Sequence, residues 1–500
     1  MFLSNATALG NLARGTTSMH AGTQQPPLLA PLTQEELGQL QIHLPALKII
    51  SYRGPGHQGG VVSSLSPLTK QLGTQVNWIA LSGMPEGQDQ AVPGFTFHRP
   101  DVTPQNAEAN SRALYEYLWP LLHGLPDKAH YDADAWKAFR HLSQTIASQS
   151  LKVSMRSFPS LVWFHDFEMC LVPPMLPMDA GVILSHFWHA PWPEAEVMVA
   201  SPVGHEILES MLHNKVIGFH TQEYADNFLD TAKKILGSEA SVDAAKMSVT
   251  YRHNTTHVVS MPLGIDFQYW QRLARTARVE AESLSVRHRL ANQILLGVDR
   301  LDYTKGILEK LDGLETFLQS HPDWVRRFHY VQLVQHMEQH SPALDAYRGA
   351  LEKRVQEINE TYSVDGWEPI VYIEGTMGHQ RLAAWYQAAD MLLVTPVRDG
   401  LNLIAKEYVA SRLDEQGVVV LSNQAGVSAE LVSGALLVDA NSREEIAHAM
   451  LRGLSMPVEE KRRRMVSMRH VVGWNRLHDW ACGFLRFSIT AAKGQPSKSG

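Results

Sequence analysis

The sequence predicts an α/β protein made of two parallel sheets, each covered by helices. Short apolar runs of four to seven residues alternate with longer stretches of helical periodicity, as strands buried on both faces require. The runs fall into two sets, separated by a polar and charged segment at 266–288. A chain of 500 residues also exceeds what one core ordinarily serves and suits two α/β domains of roughly 200 residues each.

In chain order, the first 45 residues are rich in Gly, Thr, Gln and Pro and read as a flexible extension. Strands are expected at 47–50, 76–81, 161–165, 181–187 and 216–219, within a first domain spanning 46–270. A second set at 294–298, 330–334, 370–373, 391–395, 418–421 and 435–438 belongs to a domain spanning 271–470. Helical periodicity at 307–319 and 381–389 falls between strands, the alternation that builds parallel sheets. An aromatic-rich helix at 471–490, with Trp474, Trp480 and Phe484, is expected to pack on a domain before a tail at 491–500.

Composition narrows the function classes. With 44% hydrophobic and 19% charged residues, the chain has the balance of a soluble globular protein. A formal charge of −7 offers no general attraction to nucleic acid or anionic lipid, so neither is an expected partner. An anionic ligand must be held by local donors. Two cysteines, Cys170 and Cys482, supply no disulfide framework and no cysteine metal site. Metal-ligand spacings such as HExxH are absent, and neither metal nor cofactor is expected. No signal-peptide core and no run of membrane-spanning length occur, so a cytoplasmic location is expected. The sequence leaves oligomeric state open.

Five segments carry chemistry, each at the end of an expected strand. Arg53-Gly54-Pro55-Gly56-His57-Gln58-Gly59-Gly60 is a glycine-rich turn that can expose N–H groups to a phosphate. Its spacing fits no nucleotide fingerprint, and a turn of this kind taken alone is more often just a tight turn. Val298-Asp299-Arg300-Leu301-Asp302-Tyr303-Thr304-Lys305-Gly306 offers a planar fork and a point charge to a diphosphate, or is simply a solvated loop. Arg398-Asp399-Gly400-Leu401-Asn402-Leu403-Ile404-Ala405-Lys406-Glu407 runs into a helix whose first N–H groups would face an anionic leaving group. Glu407 would accept hydrogen bonds from a ribose diol; the alternative makes Asp399 a helix cap and Glu407 a surface residue. His165-Asp166 and His189-Ala190-Pro191-Trp192-Pro193 would orient acceptor and sugar hydroxyls, although a lone strand-end histidine is usually structural.

Together these segments resemble glycosyltransferase family 20, the trehalose-6-phosphate synthase family, from about Leu47 to Phe487. The resemblance implies a GT-B fold: two facing Rossmann-like domains, a cleft between them, and a C-terminal helix returning to the first domain. It implies a retaining glucosyltransferase using a nucleotide diphosphate glucose donor and a small polyol or sugar phosphate acceptor. Arg300 and Lys305 would neutralise the donor diphosphate, with Gly59 and Gly60 adding backbone contacts. Glu407 would hold the ribose. Asp399 and the amides of Gly400, Leu401, Asn402 and Leu403 would hold the donor sugar, which His189 would touch. Arg53, Trp119 and Asp166 would face the acceptor. The departing phosphate oxygen would itself take the acceptor proton, leaving the protein to position and to stabilise charge.

The chain departs from the family on the acceptor side. An arginine and two tyrosines that hold glucose 6-phosphate in trehalose-6-phosphate synthases fall at Ser341, Asn110 and Phe167. Tyr117-Leu118-Trp119-Pro120-Leu121-Leu122-His123, Tyr131-Asp132, Trp136 and Phe139 are similar to the glucosylglycerol-phosphate synthases of the family. On that ground ADP-glucose and glycerol 3-phosphate are the first expectation, UDP-glucose and glucose 6-phosphate the second. A pseudoglycosyltransferase or a non-catalytic homologue that binds sugar nucleotide is the remaining alternative.

Overall fold

The computed structural model describes residues 46–55, 60–71, 76–82, 90–92, 94–102, 104–153, 160–177, 181–335 and 342–493. Residues 1–45, Gly59, Ser341 and the tail from 494 lie outside the described residues.

Two sheets form, as the two sets of apolar runs require. The first contains β1 (Ala46–Arg53), β2 (Val76–Ser82), β3 (Gln90–Val92), β4 (Phe95–His98), β5 (Ser160–His165), β6 (Val182–Phe187), β7 (Val216–Phe219), β8 (Ala240–Asp243), β9 (Ser248–Tyr251) and β10 (Asn254–Ser260). Its order is β3-β4-β2-β1-β5-β6-β7-β10-β9-β8, parallel in the middle and antiparallel at β3–β4 and β8–β9–β10. The second contains β11 (Gln293–Arg300), β12 (Phe328–Gln335), β13 (Ile370–Glu374), β14 (Met391–Val394), β15 (Val418–Ser422) and β16 (Leu436–Val438). It is wholly parallel, in the order β13-β12-β11-β14-β15-β16. The five first-domain strands missing from the sequence reading are short or polar, and they form the margins of the sheet. Strands with one wet face do not give a continuous apolar run.

The winding of each sheet places a ligand site. In the first, the chain runs outward from β1 to β2 and β4, then returns to β5 on the other side of β1. In the second, it runs from β11 to β12 and β13, then returns to β14 beside β11. Each reversal opens a crevice at the carboxyl ends of the two central strands, where ligands of open α/β sheets bind. Arg53 closes β1, Asp166 follows β5, Arg300 closes β11, and Asp399 lies a few residues beyond β14.

The chain crosses between the domains twice, near 262–266 and near 474–477. Helix Phe267–Ala274 already packs on Leu403–Ser411 and His379–Ala388 of the second domain, so the crossing precedes the boundary expected at 270. Helix Val458–Trp474 belongs to the second domain, and its Trp474 is exposed. The helix that returns to the first domain is Leu477–Lys493, which lays Trp480 and Phe484 against Trp163 and Phe187.

The two crossings are tied together. Ile265 and Arg476 form a β-bridge, and Asn475 Nδ2 donates to the Pro262 carbonyl (3.0 Å) and to Glu430 Oε2 (2.8 Å). Lys406 Nζ is buried between the Leu263 carbonyl (2.8 Å) and Glu430 Oε1 (2.6 Å). Removing one partner of a buried pair leaves the other charge uncompensated. Lys406→Met is therefore expected to destabilise the protein by about 3–5 kcal/mol, read from urea unfolding. A change below about 1 kcal/mol would contradict a structural tie here.

Among the described residues, no helix is long and apolar enough to cross a membrane, and both cysteines are free and buried.

Candidate active site

The first-domain wall is organised by Asp166. Its φ of 70° is rare for a residue with a side chain and costs of order 1–3 kcal/mol. The conformation turns the carboxylate back over the strand ends. There Oδ1 accepts from the backbone N–H groups of Phe167 (2.9 Å), His189 (3.1 Å) and Ala190 (3.0 Å). Burial raises this carboxyl to about 6 against the pull of those donors and of Arg300. Because β5 and β6 pair in parallel, the two segments read separately from the sequence, His165-Asp166 and His189–Pro193, become one surface.

Behind that surface lies a chain of imidazoles. The Leu263 N–H donates to His220 Nδ1 (3.3 Å); His220 Nε2 and His189 Nδ1 are 3.1 Å apart, as are His189 Nε2 and His165 Nδ1. Burial holds all three rings below their ordinary pKa, so they are neutral near pH 7. The sense in which the chain of hydrogen bonds runs is set by which His220 nitrogen carries the proton. Both ring nitrogens of His189 have an imidazole partner, Nδ1 towards His220 and Nε2 towards His165. Its main chain is fixed as well: the N–H is bound to Asp166 and the carbonyl is set against Gly400. His220 escaped the sequence reading because nothing local distinguishes it among 24 histidines.

A π-helical segment, Arg112–Leu118, precedes Trp119. Such insertions re-aim side chains and recur at functional sites. Tyr115 stands edge-on to Phe167 (6.3 Å between centroids) and Tyr52 (6.4 Å), while Trp119 tilts against Phe167 (5.7 Å). Trp119 also reaches the other domain. Its Nε1 donates to Asp302 Oδ1 at 3.4 Å, and the Arg300 guanidinium lies 5.6 Å from its ring centroid. One aromatic side chain thus joins the expected acceptor wall to the expected donor loop.

On the second-domain wall, Lys305 Nζ meets Asp399 Oδ2 at 2.7 Å, both side chains being largely buried. The Asp399 carboxylate is held at about 2: burial would raise it, but Lys305, His123 and Asn402 hold it down. Asn402, at φ 83°, caps helix Leu403–Ser411 through Oδ1 to the Ala405 N–H (3.3 Å) and donates from Nδ2 to Asp399 (3.1 Å). The cap read from the sequence as an alternative role for Asp399 belongs to Asn402. Asp302, buried under the loop, accepts from Thr304 N–H and Oγ1 (both 2.9 Å) and faces Arg300 at 3.6 Å. The neighbouring Asp299 is structural, paired with Lys310 (2.8 Å) inside the domain. Gly306 has φ +62°, and a Cβ there would fall 2.1 Å from the Thr395 carbonyl, so this loop can lie against β14 only as glycine.

The two walls touch at Gly400. A Cβ on it would sit 1.9 Å from the His189 carbonyl oxygen, and Tyr224 donates to the Asp399 carbonyl at 3.0 Å beside it. Gly60 begins helix Gly60–Gln71. Glu407 projects from the helix after Asn402, and its Oε2 accepts from Tyr386 Oη at 3.0 Å. Burial raises its carboxyl to about 8, above the ordinary value of about 4.3. A folded-state value above the unfolded one gives stability that is full below about pH 4 and lost as pH rises through about 8. Glu407→Gln is accordingly expected to flatten the decline in stability between pH 5 and 9. Urea midpoints with the same slope in parent and variant would contradict it.

The arrangement can do specific chemistry. Lys305 reaches a helix start through Asp399 and Asn402, and Arg300 stands in the same loop as Lys305; cations at a helix N-terminus are suited to stabilising a departing diphosphate. Across the crevice stand a buried carboxylate and an aromatic wall suited to a polyhydroxylated acceptor. Among the described residues, no group of His, Cys, Asp or Glu is placed to hold a metal.

Comparison with known proteins agrees with this geometry. The sequence model of glycosyltransferase family 20 matches residues 48–487. The trehalose-6-phosphate synthase of Mycobacterium leprae is 32% identical over 462 residues, covering 89% of this chain and 91% of that protein. A bifunctional trehalose-6-phosphate synthase/phosphatase of Thermoproteus tenax is 32% identical over 434 residues; 85% of this chain matches 58% of that longer relative. Among solved structures, a UDP-forming α,α-trehalose-phosphate synthase of Burkholderia xenovorans, in complex with glucose 6-phosphate, superposes with a TM-score of 0.83. It is 26% identical and covers 89% of this chain and 100% of its own. The Escherichia coli protein bound with UDP-2-fluoro glucose gives a TM-score of 0.82 at 26% identity, over 90% and 99% of the two chains. The chain therefore belongs to glycosyltransferase family 20 and is a hexosyltransferase of the GT-B fold.

Proposed function

We propose that this protein is a retaining glucosyltransferase of the α,α-trehalose-6-phosphate synthase type, moving glucose from UDP-glucose to glucose 6-phosphate. The observation that carries the reading is the junction of Lys305, Asp399 and the capped helix start at Asn402, facing Arg300 across the crevice of the second sheet. Lys305 and Arg300 take the diphosphate. Asp399 and the amides that follow Gly400 take the sugar hydroxyls, and Glu407 takes the ribose. The leaving phosphate oxygen, held by the two cations, accepts the proton of the attacking hydroxyl on the same face, and the anomeric configuration is kept. The protein supplies position and electrostatic stabilisation rather than a base.

The acceptor assignment reverses the order drawn from the sequence. Glycerol 3-phosphate with ADP-glucose ranked first there, but the relatives named above are trehalose-phosphate synthases, which favours glucose 6-phosphate. Glycerol 3-phosphate stays as the second reading because Asn110 and Phe167 stand where the resemblance leads to tyrosines.

The test is a matrix of UDP-, ADP- and GDP-glucose against glucose 6-phosphate, glycerol 3-phosphate and glycerol, with products identified. Trehalose 6-phosphate from UDP-glucose is the expected main product. A preference of more than tenfold for glycerol 3-phosphate would move the assignment to the second reading. No turnover with any pair, alongside retained nucleotide-sugar binding, would mean a non-catalytic homologue.

A further inference from the structure

Glu168 lies two residues beyond Asp166 in the turn after β5 and is only 8% exposed. Nothing in the sequence marks it: a glutamate in a turn ordinarily faces water. Here it sits beneath Tyr115, whose hydroxyl donates to Glu168 Oε1 at 3.2 Å. The groups that face it electrostatically are Arg53 and Tyr52 from β1 and Asp166 from its own turn, besides Tyr115 from the π-helical segment. No lysine or arginine forms a salt bridge with it among the ion pairs of the described residues. A few residues upstream of Tyr115, the Asn110 carboxamide is fully buried with neither its oxygen nor its nitrogen bonded to another described residue. Unpaired buried amides are costly, and a ligand is one way to satisfy them.

We propose that Glu168 is a specificity-determining ligand of the acceptor, its carboxyl group donating a hydrogen bond to the acceptor's phosphate beside Arg53. This rests on the reading of a phosphorylated acceptor given above. It accounts for the acceptor side of the sequence: Phe167 and Asn110 lack the hydroxyls the resemblance leads one to expect, and the adjacent Glu168 replaces one of them. The donor geometry follows from the Tyr115 bond. With Oε1 accepting from Tyr115, the proton of a neutral carboxyl sits on Oε2, the remaining oxygen. Burial, with the Asp166 charge next, raises the group to about 8, while Arg53 and Tyr115 oppose the rise. The carboxyl is therefore neutral at pH 7 and donates. Above about pH 8 it becomes an anion that repels the phosphate.

The experiment measures KM for donor and acceptor separately, from pH 6.5 to 9, in the parent, Glu168→Gln and Glu168→Ala, using glucose 6-phosphate. In the parent, acceptor KM should climb as pH passes about 8 while donor KM stays level. Glu168→Gln, whose amide still donates, should keep a low acceptor KM and lose the climb. Glu168→Ala should raise acceptor KM about 10- to 100-fold at pH 7, the worth of a hydrogen bond to a charged group. A pH profile shared by parent and Glu168→Gln overturns the proposal, as does an unchanged acceptor KM in Glu168→Ala. If Glu168→Ala does not fold, the Glu168→Gln profile decides alone. If glucose 6-phosphate is inert but glycerol 3-phosphate turns over, the functional reading falls, and Glu168 is judged on the KM of glycerol 3-phosphate. If only glycerol turns over, both fall.

Discussion

Lys305→Ala is expected to lower kcat by about 10²–10³-fold, the usual cost of deleting one preorganised group that stabilises developing charge. The pair it forms with Asp399 is buried, so the cation acts in a medium that screens it weakly. Deleting it removes charge that the departing diphosphate needs most as its bond to the sugar breaks. The loss should therefore fall on kcat, with acceptor KM changed by less than about threefold. Arginine in its place should rescue only in part, because a planar fork does not fit where one ammonium bridges carboxylate and phosphate. Single-turnover rates in parent and variant check this, and a variant within fivefold of the parent would remove Lys305 from the diphosphate site.

The second large effect is expected from the smallest change. Gly400→Ala adds one methyl group 1.9 Å from the His189 carbonyl oxygen, far inside contact distance. Neither neighbour can yield locally, since the clash is with main chain that Asp166 already holds through the adjacent N–H groups. The two walls must then part by an ångström or more. Misplacement on that scale is enough to lower catalysis by about 10²-fold. Stability should change little by comparison, because each domain keeps a core of its own besides the one they share. The readout is kcat/KM beside the unfolding midpoint, and parallel losses in the two would show a folding defect instead of a separation of the walls.

The fold was legible where burial is symmetric. Eleven of the sixteen strands appear in the sequence as apolar runs because helices cover both faces of the sheet there. β8 has no buried position, β9 is only four residues long, and β10 buries every second residue at first, so none of them gives a continuous apolar run. The site was legible where chemistry and strand ends coincide. Arg300, Lys305 and Asp399 sit in glycine-marked loops directly after apolar runs, and the winding of the sheet brings them together. Glu168 and His220 were not legible, since their meaning comes from what packs on them: Tyr115 from a π-helical turn, and a single N–H at the domain crossing. His189 was legible from its place at a strand end; the row its ring forms with His165 and His220 was not.

The Lys305–Asp399 pair also bears on which molecules can stay in the cleft. A ligand that brings phosphates alone draws Lys305 away and strands a buried carboxylate with nothing to replace its partner. A ligand that brings phosphates and sugar hydroxyls together satisfies both ends at once. On the proposed reading, free nucleotide and inorganic phosphate are thus expected to bind less tightly than the intact donor. On the same reading, the pair closes again once transfer has separated sugar from diphosphate, and the contact that screens entrants is also expected to speed the exit.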